Sequence, residues 1–213
     1  MSNSEVDLAS LLCSKICHDL LSPVGAINNG LELLEDETDP VMRDRCMDLL
    51  ADSARVSADK LKYFRLAFGA AGGFGDNVDP AEARGLIESL IGDSGKITLG
   101  WALQGEALPK KAIKILLNLA LIAKESLVRG GTLDVGAEQG ELGIEVVVRA
   151  EGIKIALDSG IRTALDGTID PIDLSARTAA AWMTRELAMK NGGDLRISPP
   201  SATELLLGAI VTA

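Results

Sequence analysis

An α+β protein is predicted, a long helical hairpin followed by helices on one face of a mostly antiparallel sheet. Three observations predict it. Apolar residues at alternating steps of three and four fill the N-terminal third of the chain; a glycine-dense stretch, AFGAAGGFGDNVDP, follows from Ala67 to Pro80; and beyond it period-two strands alternate with helical patterns.

The first helix runs from about Val6 to Leu34, where Cys13, Cys17, Leu20, Val24, Ile27, Leu31 and Leu34 form a heptad a/d seam. EDETDP, Glu35 to Pro40, breaks it, and Asp39-Pro40 is a helix start, with Asp capping and Pro at the first position. The second helix carries Met47, Leu50, Ala54, Ser57, Leu61, Phe64 and Phe68 at the same spacing, so the pair should fold back as an antiparallel hairpin. Two helices alone leave apolar surface open, and pairing of two copies into a dimeric four-helix bundle is the economical remedy. A homodimer is therefore expected. The glycine-dense stretch suits a boundary between a hairpin domain, residues 1–72, and a second domain, residues 76–213.

In the second domain the pattern predicts a helix near Pro80–Ile91, a strand near Lys96–Leu103 and a helix near Pro109–Val128. Strands near Gly131–Glu138 and Gly143–Ala150 read as a hairpin around QGEL, a helix is expected over Leu174–Lys190, and DLRIS and TELLLGAIV close the sheet.

Composition narrows the function classes. With 47% hydrophobic and 24% charged residues the chain is globular, and only 3% aromatics imply helices packed through Leu, Ala and Val. A net charge of -10, without a basic run, argues against nucleic acid or anionic membrane as partner. No apolar stretch approaches a membrane span and the N-terminus lacks a signal-peptide pattern, so a cytoplasmic location is expected. The three cysteines, Cys13, Cys17 and Cys46, do not suggest a disulfide framework.

The single histidine, His18, falls at heptad position b if Cys17 is a, which turns it to solvent, with Asp19 beside it. Ser14, Lys15, Ser22 and Gly25 lie on the same face, mostly small groups past which another protein's backbone could approach. Pro23 interrupts the helix interior, at a cost of about 3 kcal/mol in a regular helix. Such a cost usually has a packing or functional reason.

His18-Asp19-Leu20-Leu21-Ser22-Pro23-Val24 resembles the H-box of two-component sensor histidine kinases, with Leu21 where a base is usual and Ser22 as a small polar substitute. The resemblance implies a dimeric hairpin followed by a histidine-kinase-like (Bergerat/GHKL-type) α/β sandwich. That second domain looks degenerate. ILLNLALIAKES resembles the N-box, with Asn118 retained but Ile122 at the metal-binding position, and an aliphatic group cannot ligate a hard cation. Ala150-Glu151-Gly152-Ile153-Lys154 replaces the Asp-x-Gly-x-Gly signature, removing the adenine acceptor. Arg177-Thr178-Ala179-Ala180 stands where glycines should admit phosphate. An intact H-box with a degenerate nucleotide domain, together with FRLAFGAAG from Phe64 to Gly72, is similar to the ChpT-type histidine phosphotransferases of alphaproteobacteria.

That resemblance implies a phosphorelay intermediate. Phosphate passes from a receiver-domain Asp of a hybrid kinase to His18 and on to the Asp of one or more response regulators. No cofactor is expected, since magnesium comes with the receiver. Imidazole suits the task because its ordinary pKa, about 6.5, leaves a nucleophilic nitrogen at neutrality. Asp19 is expected to hold the proton of the other ring nitrogen, fixing the tautomer. Folding the hairpin about Thr38 brings Lys60 opposite His18, a candidate to offset phosphate charge. Leu21, Ser22 and Gly25 are expected to accept a receiver helix, with Arg55 and Asp59 pairing at the rim. An ATP-dependent kinase core and a non-catalytic dimeric scaffold are the alternatives. A haem-attachment reading of CSKICH fails on its spacing, three residues between the cysteines instead of two.

Overall fold

In the computed structural model, residues 5–69, 76–92, 94–103 and 107–212 are described. The chain is α+β. Helix α1 (Glu5–Asp36) and helix α2 (Pro40–Ala67) form the hairpin. Asp39 caps α2 as its sequence predicts, the carboxylate accepting from Val41 N at 3.1 Å with Pro40 in the first turn. The helices meet closely at Gly30, where a β-carbon would stand 2.9 Å from Leu50 Cδ2.

Only half of the heptad seam closes within the hairpin. Leu20, Ile27 and Leu34 are half-buried, whereas Val24 and Leu31 are 45% and 51% exposed. On α2, Leu50 and Ser57 are half-buried, while Met47 and Leu61 are 56% and 52% exposed. Apart from Cys13, also exposed at the start of the seam, the exposed members, Cys17, Val24 and Leu31 on one helix and Met47, Ala54 and Leu61 on the other, recur every seven residues.

The boundary expected at 67–80, and the last residues of FRLAFGAAG, fall mostly at 70–75, outside the described residues. After it come β1 (Asn77–Val78), α3 (Pro80–Ile91), β2 (Ile97–Leu103), β3 (Leu108–Pro109) and α4 (Lys110–Ser126). A second Asp-Pro start, Asp79-Pro80, caps α3 through Ala81 N at 2.8 Å. β4 (Gly131–Gln139) and β5 (Ile144–Glu151) form the predicted antiparallel hairpin. α5 (Ser159–Asp166), a 3-10 turn (Pro171–Asp173), α6 (Ala179–Met189), β6 (Asp194–Ile197) and β7 (Glu204–Val211) complete the chain.

The five-stranded sheet has the order β2-β4-β5-β7-β6, antiparallel except for β2 against β4, whose connection passes through α4. Alternation along β4, β5 and β7 sends Leu133, Val135, Val146, Val148, Leu205 and Leu207 into the core beneath α4, α5 and α6. α4 is buried nearly all round, from Ala112 to Ala123. The opposite face carries an ionic cluster, with Arg149 bridging Asp134, Glu151 and Glu204 beside the exposed Val147 and Leu206.

Two local expectations change. The helix expected from Leu174 starts at Ala179: the 3-10 turn begun by Asp170-Pro171 leaves Leu174 in extended backbone, and Ser175 N donates to Thr178 Oγ1 at 3.0 Å just ahead of α6. α5 escapes the periodicity reading because eight residues are too few to show one. Its ends are nonetheless marked, by Asp158 accepting from Gly160 and Ile161 N and by Gly167 at φ 74°.

Candidate functional site

The heptad that packs Leu20 and Ile27 toward α2 turns His18 outward, and its side chain is 85% exposed. His18 Nδ1 lies 3.1 Å from Asp19 Oδ1, so the tautomer matched to this contact donates Nδ1–H to the carboxylate. Nε2 then keeps its lone pair and has no hydrogen-bond partner among the described residues. An exposed, oriented, neutral imidazole is a nucleophile.

Asp19 is held from three sides. Its other carboxylate oxygen accepts from Lys15 Nζ at 3.0 Å, one turn earlier on α1, and its backbone oxygen accepts from Lys60 Nζ at 2.7 Å. Lys15 also reaches Glu125 on α4 at 3.5 Å. Partial burial pushes the Asp19 carboxyl up, but hydrogen bonds from His18 and Lys15 and the charges of Lys15 and Lys60 outweigh it and hold it below its ordinary value. Burial pulls the Lys60 ammonium down, opposed by Asp19 and Glu125 and reinforced by Lys124 and Lys15.

A carboxyl with a depressed folded-state pKa stabilises the fold above its unfolded value, near 4, and loses that contribution as pH falls through the folded value. Asp19→Asn removes this term. The stability gap between wild type and variant in urea unfolding should therefore be widest above about pH 5 and shrink toward pH 3.

His18 and Asp19 share a cleft of about 440 Å³ with Ser14 and Lys15 of α1, Glu125 of α4, and Ala176 and Arg177 from the segment entering α6. Arg177 is ion-paired at 3.3 Å with Asp158, the residue capping α5. Both halves of the chain thus wall the histidine. Their relative placement is set by two buried hydrogen bonds, Tyr63 OH to the Leu117 carbonyl and Asn118 Nδ2 to Ala67 O at 3.0 Å, and a half-buried one, Lys114 Nζ to Gly69 O at 2.8 Å. Phe64 and Leu66 lie in the same core as α4.

Asn118, the residue that resembles a kinase N-box, therefore ties the end of α2 to α4, and its Oδ1 is buried without a hydrogen-bond partner among the described residues. Ile122 and Ala150 are core residues, as are Ala179 and Ala180 at the start of α6. None of these four side chains offers a polar atom.

Of the residues expected to meet a partner, Leu21 and Ser22 are exposed beside the cleft, and a β-carbon on Gly25 would meet nothing within 4 Å. Arg55 and Asp59 lie on α2, with ion pairs to Asp52 at 3.4 Å and Lys62 at 3.3 Å. Lys60 does not line the His18 cleft. It borders a neighbouring one between α2 and α3, lined also by Val56, Asp59, Tyr63 and Lys124. The sequence does not reveal the site roles of Glu125 and Arg177, whose approach to His18 depends on tertiary contact, whereas Lys15 stands one turn before Asp19 on the same helix face. Among the described residues no cluster of three or more His, Cys, Asp or Glu is placed to hold a metal, and no helix is long and apolar enough to cross a membrane.

Residues 80–203 match the family described as histidine phosphotransferase C-terminal domain. The protein phosphotransferase ChpT of Brucella abortus (strain 2308) is 34% identical over 194 residues, covering 91% of this chain and 91% of that protein. The solved structure of a bacterial phosphotransferase superposes with a TM-score of 0.84 at 32% identity, covering 98% of each chain.

Proposed function

The chain belongs to the histidine phosphotransferase family, and from that premise we propose that it works as the middle carrier of a phosphorelay, between a receiver domain of a hybrid kinase and one or more response regulators. The observation that carries the reading is His18, exposed on α1 with Nδ1 engaged by Asp19 and Nε2 free.

The Nε2 lone pair attacks the phosphorus of the receiver's aspartyl phosphate; the N–P bond forms as the bond to the Asp oxygen breaks, and the Asp leaves as carboxylate. Asp19 stabilises the positive charge that develops on the ring. The reverse step delivers the phosphoryl group to the next receiver Asp. Lys15 and Arg177 add positive charge at the wall of the cleft. No cofactor of the chain's own enters this scheme, and magnesium arrives with the receiver. ATP-dependent phosphorylation is disfavoured by Ile122 and Ala150, which fill positions where a kinase needs polar groups.

The exposed seven-residue stripe on the hairpin supports a C2 homodimer, in which Val24, Leu31, Met47 and Leu61 meet their counterparts in a four-helix bundle. The two receiver classes would dock on Leu21, Ser22 and Gly25, with Arg55 and Asp59 at the rim. Space around Gly25 allows Gly25→Trp to fold, yet its indole would occupy the docking surface. Transfer should fall at least tenfold with an unchanged circular dichroism spectrum; an unchanged rate would show that receivers approach from another side.

The relay itself is tested by mixing the purified chain with a radiolabelled, phosphorylated receiver domain in the absence of ATP. Label should move to the chain and then to a second, unphosphorylated receiver. Labelling from ATP and magnesium alone would favour the kinase reading, and labelling from neither source a scaffold.

A further inference from the structure

Pro23 has no N–H, so the carbonyl oxygen four residues earlier, that of Asp19, is deprived of its intrahelical partner. α1 nevertheless continues unbroken through this point, with Pro23 buried. Lys60 Nζ reaches that carbonyl oxygen at 2.7 Å, across 41 residues of sequence. The same residue, Asp19, holds the His18 ring through its side chain at 3.1 Å.

Lys60 approaches from behind the phosphoacceptor. Its side chain is half-buried and borders the cleft between α2 and α3, while the cleft containing His18 is walled by Lys15 and Arg177. Its position is therefore unsuited to direct contact with a phosphoryl group on Nε2, the role expected from sequence. Glu125, Lys15 and Lys124 surround it electrostatically, but its ammonium donates to the backbone.

We propose that Lys60 is a positioning residue: it takes the carbonyl oxygen released by Pro23, and so fixes the backbone of Asp19 and, through the carboxylate, the tautomer and direction of the His18 ring. Pro23 and Lys60 then form one device. The proline frees an acceptor in the helix that carries the histidine, and the lysine uses it to tie that helix to α2 one residue from the reacting ring. This rests on the relay reading above for its kinetic consequence, though not for its structural one.

The two residues should be energetically coupled. In Lys60→Met the Asp19 carbonyl loses its donor, and transfer from a phosphorylated receiver should fall about tenfold, the scale of one hydrogen bond to a charged group. Pro23→Ala restores an N–H at position 23 that can take the same carbonyl, so in that background Lys60→Met should cost less than about twofold. An equal loss in both backgrounds would overturn the proposal and return Lys60 to a direct electrostatic role.

A second measurement separates positioning from folding and from the relay. The sole histidine gives an isolated imidazole signal in 15N-labelled full-length protein. Wild type should show predominantly Nδ1–H, Lys60→Met a mixture of tautomers, and the Lys60→Met/Pro23→Ala double variant the wild-type pattern again. An unchanged tautomer ratio in Lys60→Met would contradict the proposal. This readout needs no phosphate, so failure of wild type to accept a phosphoryl group would count against the relay alone.

Discussion

His18→Ala is expected to abolish phosphoryl transfer in both directions while leaving the fold intact. The side chain is 85% exposed and contributes one local contact, to Asp19, so its removal from a helix surface should change stability by no more than about 0.5 kcal/mol. Transfer, by contrast, loses its only nucleophile of this kind, since the chain has a single histidine. Stopped-flow or gel-based transfer from a phosphorylated receiver, with urea unfolding of the same sample, checks both halves. Residual transfer above the uncatalysed rate would place the phosphoacceptor elsewhere.

The second large effect concerns the hairpin stripe. Val24→Asp combined with Leu31→Asp places two carboxylates per chain, four per dimer, on the face proposed to be dry. A buried carboxylate without a partner costs several kcal/mol, so even partial burial should weaken association by about 4 kcal/mol, or roughly 10³-fold in Kd. Both side chains are about half exposed in the single chain, so the hairpin itself tolerates the change. Sedimentation equilibrium should show wild-type dimers at micromolar concentration and monomers for the variant, with helicity retained. A wild-type monomer, or a variant that still dimerises, would remove the four-helix bundle from the account.

Much of the architecture was legible because local physics and tertiary packing agree. The Asp39-Pro40 and Asp79-Pro80 starts are determined by capping chemistry alone, and the alternation in β4 and β5 by one-sided burial. The outward direction of His18 follows from helical geometry once Cys17 and Leu20 are assigned to the seam. Pairwise tertiary contacts were not legible. Pro23 announces that the Asp19 carbonyl needs a donor, but only the packing of α2 shows that Lys60 supplies it. Asn118 could be seen as a retained motif residue, and nothing in its neighbours along the chain reveals that its amide reaches Ala67 at the end of α2. Along the chain Arg177 shows only as a lost glycine, because its place beside His18 depends on how the α6 entry packs against α1. The seam, finally, carries no mark of which members close within one hairpin and which face outward.

Which ring nitrogen of His18 carries the phosphoryl group decides whether the site works as a relay through Nε2. The chain, 15N-labelled and phosphorylated by a receiver domain, can be observed by 31P and 15N spectroscopy at alkaline pH, where phosphohistidine persists. With Nδ1 engaged by Asp19, the phosphoryl group is predicted on Nε2, with Nδ1–H still hydrogen-bonded. Phosphate on Nδ1, or on any residue other than His18, would contradict the site as described.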